Sequence, residues 1–471
     1  MVESARHELS NPHFVAARNI ADRLRRNNHV AYLAGGCVRD LLLGVDPKDY
    51  DVATSAPPDS VLTLFSDKKA HTVGAHFGVV LISEAKEGSD SISTEVATFR
   101  HDGSYSDGRR PDTVRFSTDA REDVQRRDFT INGMLLDTAI YDSAGDAAGA
   151  TLDYVGGRDD LAARIIRTIG DPHLRFAEDK LRMLRAVRFA ARLDFAIEPA
   201  TAAAIRSLAS EITIVSPERI RDEITLILTE GGARRGFELL DHLGLLPHIL
   251  PEITKLHGVE QPPEYHPEGD VWIHTMLLLE KLPAAASPTL AWGALLHDVG
   301  KPATFRAPDP AIPNDRIRFN GHVEVGVRIA QVILSRLRFS NEESEQIVAL
   351  VKNHMRFGDV RHMREATLKR FLRLEQFDEH LALHRMDCLS SHADLSLYEF
   401  AKERYESVPA EEIRPQLLLT GRELIAAGYR PGPSFKKMLE AAEDAQLEGT
   451  VSTQAEALRL VRARFGGPNR A

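Results

Sequence analysis

Apolar and polar residues follow two different patterns along the chain, and the change between them predicts how it is organised. Up to about residue 28, apolar residues recur at helical spacing, as expected of an amphipathic helix. Between residue 29 and about 155, short β-rich runs such as 77–82 and 93–100 mix with helical segments. Beyond Asp171 the pattern is almost wholly helical. We therefore predict an α+β fold in which strands and helices come first and helices alone follow.

Chain length and proline-rich interruptions indicate several domains. A chain of 471 residues holds about three domains by the usual size range. Prolines cluster near residues 251–267, 303–313 and 430–433, where helical patterns stop. Residues 101–112 are rich in Gly, Asp, Ser and Arg, which predicts a mobile loop of the kind that often covers a site. The predicted segments are 1–155, 156–259, 260–410 and 411–471.

Composition narrows the class of protein. Hydrophobic residues make up 43% of the chain, which is ordinary for a globular protein. No run of 18 apolar residues occurs and residues 1–14 lack an apolar signal-peptide core, so we expect neither a membrane span nor a secretory signal. The only two cysteines, Cys37 and Cys388, suit a reducing cytoplasm and exclude a disulfide framework or a cysteine-rich zinc site.

The charge distribution leaves room for a local basic surface. The net charge of −10 argues against a protein that coats itself in nucleic acid. The segment from Arg164 to Arg192 nevertheless carries eight basic and three acidic residues. We interpret this segment as a candidate surface for RNA or a triphosphate, although a solvated helix face would account for some of its arginines.

A glycine pair, an arginine and two aspartates follow one another near the N-terminus. Gly35 and Gly36 come between a short apolar run and a helix-like one, so their backbone N–H groups can approach a phosphate. Arg39 is expected to add a charged contact. Asp49 and Asp51 lie in or beside a strand-like run, where residues two apart point to one face and together suit Mg²⁺. The alternative is a β-turn and a solvated acidic strand end.

A second group of polar residues follows the predicted loop. Arg126 and Arg127 are expected to hold phosphates. Asp128 is expected to accept a ribose hydroxyl, and Asn132 to donate to a phosphate oxygen. The alternative is a capped helix start with Asp128 as the N-cap.

Asp179 and Arg182 predict which bases are accepted. On a helix, these two residues are three positions apart and share a face. A carboxylate only accepts hydrogen bonds and a guanidinium only donates them. Cytosine and adenine present an exocyclic amine beside an unprotonated ring nitrogen, whereas uracil and guanine present the reverse pattern. The pair therefore predicts selection of C and A without a template, and the alternative is an ordinary surface ion pair.

Histidines and aspartates in the C-terminal half predict a metal site. Imidazole and carboxylate groups suit a catalytic divalent metal. A lone histidine is usually structural, but this many ligand-type residues in one order are not plausibly chance. Lys301, beside them in the sequence, is expected to supply a proton or hold a phosphate. The candidate ligands are His274, His297, Asp298, His322, His354 and Asp387.

These motifs resemble a known family. Gly-Gly-x-x-Arg-Asp at 35–40, Asp-x-Asp at 49–51 and Arg-Arg-Asp-Phe-x-x-Asn at 126–132 resemble the head domain of class II tRNA nucleotidyltransferases and bacterial poly(A) polymerases. Leu-Leu-His-Asp-Val-Gly-Lys at 295–301 resembles the HD phosphohydrolase superfamily. The fold implied by the resemblance is a polymerase-β-like mixed-sheet head (1–155), an all-α neck (156–259), an HD domain (260–410) and a helical tail (411–471).

The resemblance also implies an activity. It implies template-independent addition of CCA to tRNA 3′ ends from CTP and ATP, with Asp49 and Asp51 as the catalytic carboxylates that hold Mg²⁺. Arg185, on the predicted neck helix, is implied to assist at the triphosphate or the base. The alternatives are a poly(A) polymerase, a partial CC- or A-adding enzyme, and a phosphohydrolase whose head merely binds RNA.

For the HD domain the resemblance implies a metal such as Ni, Mn, Co or Fe. Some nucleotidyltransferases with this fused domain open 2′,3′-cyclic phosphates, and we hypothesise the same activity here. The residues implied to bind one metal are His274, His297, Asp298 and Asp387. The residues implied to bind a second metal or the substrate phosphate are His322 and His354.

Overall fold

The computed structural model describes most of the chain, namely residues 11–73, 78–86, 89–103 and 112–468. The chain divides into two compact units, Met1–Pro251 and Glu252–Ala471. The centre of the predicted loop at 101–112 lies outside the described residues. The segment boundaries near residues 155, 260 and 410 stay predictions.

A mixed sheet forms the centre of the first unit. The strands of this unit are β1 (Ala31–Ala34), β2 (Asp51–Thr54), β3 (Lys69–Thr72), β4 (Val79–Lys86), β5 (Ser89–Thr98), β6 (Arg100–Asp102), β7 (Val114–Phe116), β8 (Met134–Leu136), β9 (Thr151–Asp153), β10 (Ile165–Ile166) and β11 (Ala196–Ile197). Seven of them form one sheet in the order β3-β4-β5-β2-β1-β8-β9. Within it β2 and β5 are parallel and the other neighbours are antiparallel.

The register of the central strands explains where the carboxylate of Asp51 lies. Val52 on β2 pairs with Leu33 on β1 and with Val96 on β5, and all three side chains are fully buried. Successive residues of a strand point to opposite faces of the sheet. Asp51, the first residue of β2, therefore projects away from this apolar row, and it is exposed.

Helices make up the rest of the first unit. The first of them begins after Asn11, whose side chain accepts a hydrogen bond from the His13 N–H, and it buries Ile20 and Leu24. Short 3₁₀ segments lie at Thr130–Asn132 and Ala209–Ile214. The helices are α1 (Pro12–Arg26), α2 (Gly36–Leu42), α3 (Pro58–Leu64), α4 (Ala120–Gln125), α5 (Thr138–Ala144), α6 (Ala147–Ala150), α7 (Gly157–Ala163), α8 (Pro172–Glu178), α9 (Arg182–Leu193), α10 (Pro199–Leu208), α11 (Pro217–Thr229), α12 (Ala233–His242) and α13 (Leu246–Ile249). The short helix α14 (Pro251–Thr254) starts at the last residue of this unit and continues into the second.

Helices dominate the second unit. Buried aromatic rings hold part of its core together: Phe371 packs edge-on against Phe357 and Phe377, with ring centres 4.9 and 5.4 Å apart. A 3₁₀ segment covers His354–His362. The helices are α15 (Val271–Glu280), α16 (Pro288–Leu296), α17 (Lys301–Thr304), α18 (His322–Arg336), α19 (Asn341–Asn353), α20 (Glu365–Leu372), α21 (Phe377–Ser390), α22 (Ser396–Ser407), α23 (Ala410–Ile413), α24 (Gly421–Ala426), α25 (Ser434–Leu447) and α26 (Gln454–Phe465).

The predicted α+β class is confirmed, since a mixed sheet is followed by a largely helical chain. The predicted N-terminal helix is α1, and the predicted β-rich runs fall on β4 and β5. None of the helices described is both long and apolar enough to cross a membrane. Cys37 and Cys388 are free and buried, and the cytoplasmic location stays a prediction.

A buried histidine predicts acid sensitivity of the second unit. His380 on α21 is 1% exposed, and neither ring nitrogen finds a hydrogen-bond partner among the described residues. Burial, helped by the nearby Arg356 charge, lowers the pKa of His380 to about 4. The unfolded chain therefore binds a proton below about pH 6.5 that the folded chain resists, and stability falls as the pH falls towards 4.

We expect His380→Leu to remove about 1 kcal/mol of the stability loss between pH 7.5 and 5.5. Urea unfolding followed by tryptophan fluorescence measures this, because both tryptophans, Trp272 and Trp292, lie in the second unit. The exposed His362→Gln variant serves as the control. Equal pH dependence in His380→Leu and the parent protein would contradict the assignment.

Candidate functional site

A cleft of about 660 Å³ in the first unit brings the predicted nucleotide site together. The cleft is lined by residues from the turn after β1, from α2, from the start of β2, from the α4–β8 connection, from the α8–α9 region and from α11. All eleven residues predicted for this site lie on its wall: Gly35, Gly36, Arg39, Asp49, Asp51, Arg127, Asp128, Asn132, Asp179, Arg182 and Arg185. Residues separated by up to 150 positions therefore share one cavity.

The glycine turn keeps an arginine close to the backbone. β1 ends at Ala34 and α2 begins at Gly36, so Gly35 forms the turn, with a φ of +81° that favours glycine. A Cβ atom on Gly35 would lie 3.2 Å from Nη1 of Arg127. Any side chain at Gly35 would therefore press on the Arg127 guanidinium.

Hydrogen bonds connect four of the predicted residues. Arg39 Nη1 donates to Asn132 Oδ1 at 2.7 Å, and Asn132 Nδ2 donates to Asp128 Oδ1 at 3.2 Å. Arg185 donates to Asp128 Oδ2 through Nε at 2.8 Å and Nη2 at 2.7 Å. Burial alone would raise the pKa of Asp128, but Arg185 and its other donors lower it to about 2. Asp128 is thus a fixed, ionised hydrogen-bond acceptor.

Two details differ from the simplest expectation. Asp128 is not a helix cap: the 3₁₀ turn at Thr130–Asn132 has Phe129 as its N-cap, and Asp128 Oδ1 accepts from the Phe129 N–H at 2.8 Å. Arg39 is 2% exposed and also binds Asp40 at 2.7 Å. Its guanidinium therefore braces Asn132 and Asp40, which leaves fewer donors for a phosphate than predicted.

Asp49 and Asp51 form an acidic spot in the cleft. Asp49 precedes β2, so only Asp51 belongs to the strand, and both residues are exposed. Desolvation of its carboxylate at the cleft floor, together with the charges of Glu95 on β5 and Asp49, raises the pKa of Asp51 to about 6, although Arg127 opposes the shift. Carboxylates that repel one another in this way suit a hard divalent cation, so the residues fit Mg²⁺.

The predicted placement of Asp179 and Arg182 on one helix face is wrong. α8 ends at Glu178, Asp179 is extended with φ −149° and ψ 108°, and α9 starts at Arg182. Asp179 Oδ1 accepts a hydrogen bond from Arg219 Nη1 at 3.2 Å, and Asp179 Oδ2 accepts one from Arg219 Nη2 at 2.7 Å. Arg182 donates to Glu178 Oε2 at 2.5 Å and to two backbone carbonyls. Both side chains nevertheless reach the cleft, from the break between two helices.

The predicted RNA or triphosphate surface at Arg164–Arg192 stays a prediction, although all of its cations have protein partners. Each of its eight cations has an acidic partner within 4 Å. The pairs are Arg164–Asp194, Arg167–Asp160, Arg175–Glu178, Lys180–Glu211, Arg182–Glu178, Arg185–Asp128, Arg188–Glu223 and Arg192–Asp40. Arg188 is 7% exposed and binds Glu230 as well as Glu223. Several of these ion pairs connect distant parts of the first unit, and Arg182, Arg185, Arg188 and Arg192 also line the cleft.

Asp123 is a site residue that the sequence reasoning missed. It is 0% exposed, accepts from Arg126 Nε and Nη2 at 3.0 and 2.6 Å through Oδ1, and accepts from Arg127 Nε and Nη2 at 3.3 and 3.0 Å through Oδ2. One buried carboxylate thus orients both arginines. The signal was present, because Asp123 precedes these arginines by three and four residues, the spacing of one helix face.

A second cavity, of about 790 Å³, lies in the second unit beside the predicted metal ligands. Nδ1 of His297, His322 and His354 each lies 2.7–2.9 Å from the backbone carbonyl oxygen three residues before it. These Nδ1 atoms must donate, so in the neutral imidazole each Nε2 carries the lone pair. The Nε2 atoms of His322 and His354 face one another at 3.3 Å. Two opposed lone pairs at this distance suit a cation between or beside them.

Asp298 joins two groups of ligand atoms. His274, His297 and Asp387 form one group, and Asp298, His322 and His354 form the other, with the atoms of each group within 4.8 Å of one another. Oδ2 of Asp298 lies 3.2 Å from His297 Nε2, while Oδ1 lies 3.8 and 3.7 Å from Nε2 of His322 and His354. Asp298 therefore faces both groups, and the donor set of imidazole and carboxylate fits two divalent metals.

Two neighbours complete this centre. Glu268, which the sequence reasoning missed, accepts from His274 Nδ1 at 2.7 Å and so turns its Nε2 towards Asp387 Oδ1, 3.1 Å away. The loop that carries Glu268 has no periodic pattern that would have revealed it. Lys301 is 6% exposed and is held by Asp298 at 2.6 Å and Gln261 at 2.7 Å. Burial would raise the pKa of Asp298, but Lys301 and His297 hold it well below its usual range.

Family models match three parts of the chain. Residues 31–167 match the poly A polymerase head domain, and residues 194–256 match the "probable RNA and SrmB-binding site of polymerase A". Residues 322–461 match the tRNA nucleotidyltransferase domain 2. The first match contains the sheet and most of the cleft residues.

Full-length relatives extend these matches. The CCA-adding enzyme of Geobacillus sp. strain WCH70 is 30% identical over 449 residues, which are 94% of this chain and 95% of the relative. The A-adding tRNA nucleotidyltransferase of Deinococcus radiodurans is 33% identical over 454 residues, 92% and 95% of the two chains. The multifunctional CCA protein of Nitrosococcus oceani is 32% identical over 436 residues, 90% and 99% of the two chains.

A solved structure has the same fold over nearly the whole chain. The Bacillus stearothermophilus CCA-adding enzyme, solved in complex with CTP, superimposes with a TM-score of 0.71 and 27% sequence identity. The superposition covers 96% of this chain and 98% of that one. The chain therefore belongs to the tRNA nucleotidyltransferase family that carries the poly(A) polymerase head domain.

Proposed function

We propose that this protein adds CCA to the 3′ ends of tRNA from CTP and ATP, without a nucleic-acid template. The observation that carries the proposal is the single cleft that holds paired carboxylates, Asp49 and Asp51, together with a base-reading pair, Asp179 and Arg182. The relatives named CCA-adding enzyme, which align over nearly their whole length, support it.

The chain's own groups suit this reaction. Mg²⁺ bound by Asp49 and Asp51 would activate the RNA 3′-hydroxyl and stabilise the charge of the triphosphate. Arg127 supplies a cation beside the glycine turn, and Asp128, held ionised by Arg185, can accept a ribose hydroxyl.

The base-reading pair keeps hydrogen-bonding capacity even though both residues have protein partners. Arg219 holds Asp179 through both oxygens and the Leu181 N–H also binds Oδ1, but Oδ2 keeps a second lone pair that can accept an exocyclic amine. Arg182 uses its Nη1 and Nη2 groups on protein acceptors, and a guanidinium has five N–H donors in all. Such a fixed pair rejects U and G because their groups would be left unpaired.

Two tRNA transcripts test the proposal. One ends at the discriminator base and the other ends in CC, and each is incubated with CTP or ATP separately. We expect two additions to the first transcript with CTP alone and one addition to the second with ATP alone. An indefinite A tail, or no growth at all, would contradict the proposal.

An A-adding enzyme is the second candidate, because the Deinococcus radiodurans relative bears that name and matches over 95% of its length. The same assay separates the two. Growth of the CC-ended transcript with ATP, without growth of the other transcript with CTP, would assign A addition alone.

Asp123 gives a prediction for nucleotide binding. An Asp123→Asn side chain turns an amide N–H₂ towards a guanidinium and loses the charge that neutralises Arg126 and Arg127. We expect about 3 kcal/mol lower stability, as for other broken buried ion pairs, and a KM for CTP about tenfold higher because the arginines lose their fixed positions. Steady-state kinetics and urea unfolding measure both effects.

Asp119→Asn is the matched control for this prediction. Asp119 caps the same helix, α4, by accepting from the Arg121 N–H at 2.8 Å, and does not line the cleft. We expect its KM for CTP to equal that of the parent protein. A parental KM in Asp123→Asn as well would show that Asp123 has only a structural role.

We also propose a metal-dependent phosphohydrolase activity in the second unit. The opposed Nε2 atoms of His322 and His354, with Asp298 facing both ligand groups, support it. The relative named multifunctional CCA protein is consistent with more than one activity. A bound Ni, Mn, Co or Fe ion would activate water for attack on a phosphoester. Lys301, fixed by Asp298 and Gln261, keeps a positive charge beside the site.

Metal analysis and a phosphodiesterase assay test this second activity. The purified protein is expected to carry or bind such a metal and to hydrolyse 2′,3′-cyclic AMP, with loss of the activity in chelator and recovery on adding the metal. Absence of both metal binding and metal-stimulated hydrolysis would contradict it.

A further inference from the structure

An exposed aromatic ring stands at the cavity of the second unit with an arginine beside it. Tyr265 is 49% exposed, and Arg316 Nη1 donates to its hydroxyl at 2.8 Å. The Arg316 guanidinium carbon lies 5.3 Å from the centre of the Tyr265 ring. Both residues line the same cavity as Asp298, His322 and His354.

The Tyr265–Arg316 pair lies next to the candidate metal ligands, both along the chain and in space. Tyr265 directly precedes His266, whose Nδ1 lies 2.9 Å from the Glu268 oxygen that also holds His274. The ring centres of His266 and His274 are 4.9 Å apart. The pair therefore lies close to the ligand cluster.

The loop that carries Arg316 is well braced. It connects α17 to α18, which begins at His322, and an antiparallel bridge joins Arg306 to Arg318. Asp315 accepts from the Asp309 N–H at 2.8 Å and pairs with Arg318 at 2.5 Å. Because Asp315 and the bridge hold the loop, Arg316 is presented at the cavity in a defined place.

The two arginines of this loop differ in their charge partners. Arg318 is neutralised by Asp315. Within the described part of the chain, Arg316 forms no ion pair with a carboxylate, and its guanidinium donates a hydrogen bond to the neutral Tyr265 hydroxyl. An un-neutralised guanidinium at a cavity is a good partner for a phosphate, and an exposed aromatic ring is a good surface for a nucleobase.

We propose that Tyr265 and Arg316 form a nucleoside-binding rim of the metal cavity, at which the base stacks on the Tyr265 ring and Arg316 binds the phosphate. The rim selects nucleotide phosphoesters over phosphoesters without a base. This inference rests on the proposed phosphohydrolase function and names how that site chooses its substrate. The competing account, a hydrogen bond that merely fixes the loop, predicts no dependence on the base.

A matched pair of substrates separates these accounts. 2′,3′-cyclic AMP and the 2′,3′-cyclic phosphate of methyl riboside share the reacting group and differ in the base. In the metal-loaded full-length protein we expect Tyr265→Ala to raise KM for cyclic AMP about tenfold, with little change in kcat, and to leave the riboside kinetics unchanged. Tyr265→Phe, which keeps the ring and loses the Arg316 hydrogen bond, should retain the preference for the base.

The possible outcomes are distinct. If Tyr265→Ala leaves the ratio of kcat/KM for the two substrates unchanged, or lowers kcat/KM equally for both, the proposal of a nucleoside-binding rim is overturned. If the parent protein hydrolyses neither compound, the phosphohydrolase proposal fails, and equilibrium dialysis with 3′-AMP and ribose 3-phosphate still tests the rim. Tighter binding of 3′-AMP that weakens about tenfold in Tyr265→Ala would support it, and equal binding by both proteins would overturn it.

Discussion

Replacing Asp51 with asparagine is expected to lower nucleotide addition by about 10³-fold or more while tRNA is still bound. Asp51 starts β2 at the cleft, where burial, together with the negative charges of Glu95 and Asp49, raises its pKa. An amide at this position cannot supply the charge that a divalent cation requires. Single-turnover incorporation of labelled CTP measures the rate, and filter binding measures the tRNA affinity.

Asp59→Asn provides the control for Asp51→Asn. Asp59 is an exposed carboxylate in the first turn of the neighbouring helix α3 and lies outside the cleft. It should retain the parental rate. An Asp51→Asn variant with near-parental addition would exclude this cleft as the site of metal-assisted transfer.

Replacing Asp298 with asparagine is expected to abolish metal binding and hydrolysis in the second unit, the latter by about 10³-fold or more. Asp298 is 3% exposed and is the one ligand whose two oxygens face both histidine groups. Its loss also leaves the buried Lys301 without its carboxylate partner. Metal content by mass spectrometry and hydrolysis of 2′,3′-cyclic AMP measure the effect.

Nucleotide addition provides the internal control for Asp298→Asn. All residues of the first cleft lie in the first unit, so addition of C and A should stay at the parental rate. The exposed Asp359→Asn variant should keep both activities. Hydrolysis that persists in Asp298→Asn would assign the activity to another site.

Short motifs predicted much of the first cleft because their chemistry is local. The glycine turn, the paired carboxylates and the Arg-Arg-Asp string need only neighbouring residues to be recognised, and all of them line one cavity. Helical spacing predicts that Asp179 and Arg182 share one helix face, and this prediction fails because the helix breaks between them. Asp179 leaves the helix, accepts from the Leu181 N–H and is held by Arg219 from α11, a partner forty residues away.

Charge counting is limited for the same physical reason, because the partners of a charge are often distant in sequence. Arg192 pairs with Asp40, 152 residues away, and Arg188 pairs with Glu223 and Glu230. A local excess of basic residues says how much charge a segment carries, whereas the tertiary fold decides which carboxylates neutralise it. The candidate histidine ligands could be grouped from the sequence, because imidazole and carboxylate donors are uncommon enough in such an order to stand out, and the structure brings them together. Glu268, which orients His274, lies in a loop that no local motif marks, whereas Asp123 could have been found from its spacing to Arg126 and Arg127.

The central claim is that one cleft selects C and A and adds them to tRNA in a fixed number. The most direct measurement is to incubate the protein with a tRNA ending at the discriminator base and equal concentrations of all four nucleoside triphosphates, and then to sequence the 3′ ends. We predict that the tRNAs gain CCA and that growth stops there. Ends containing U or G, or tails of many A residues, would contradict the account.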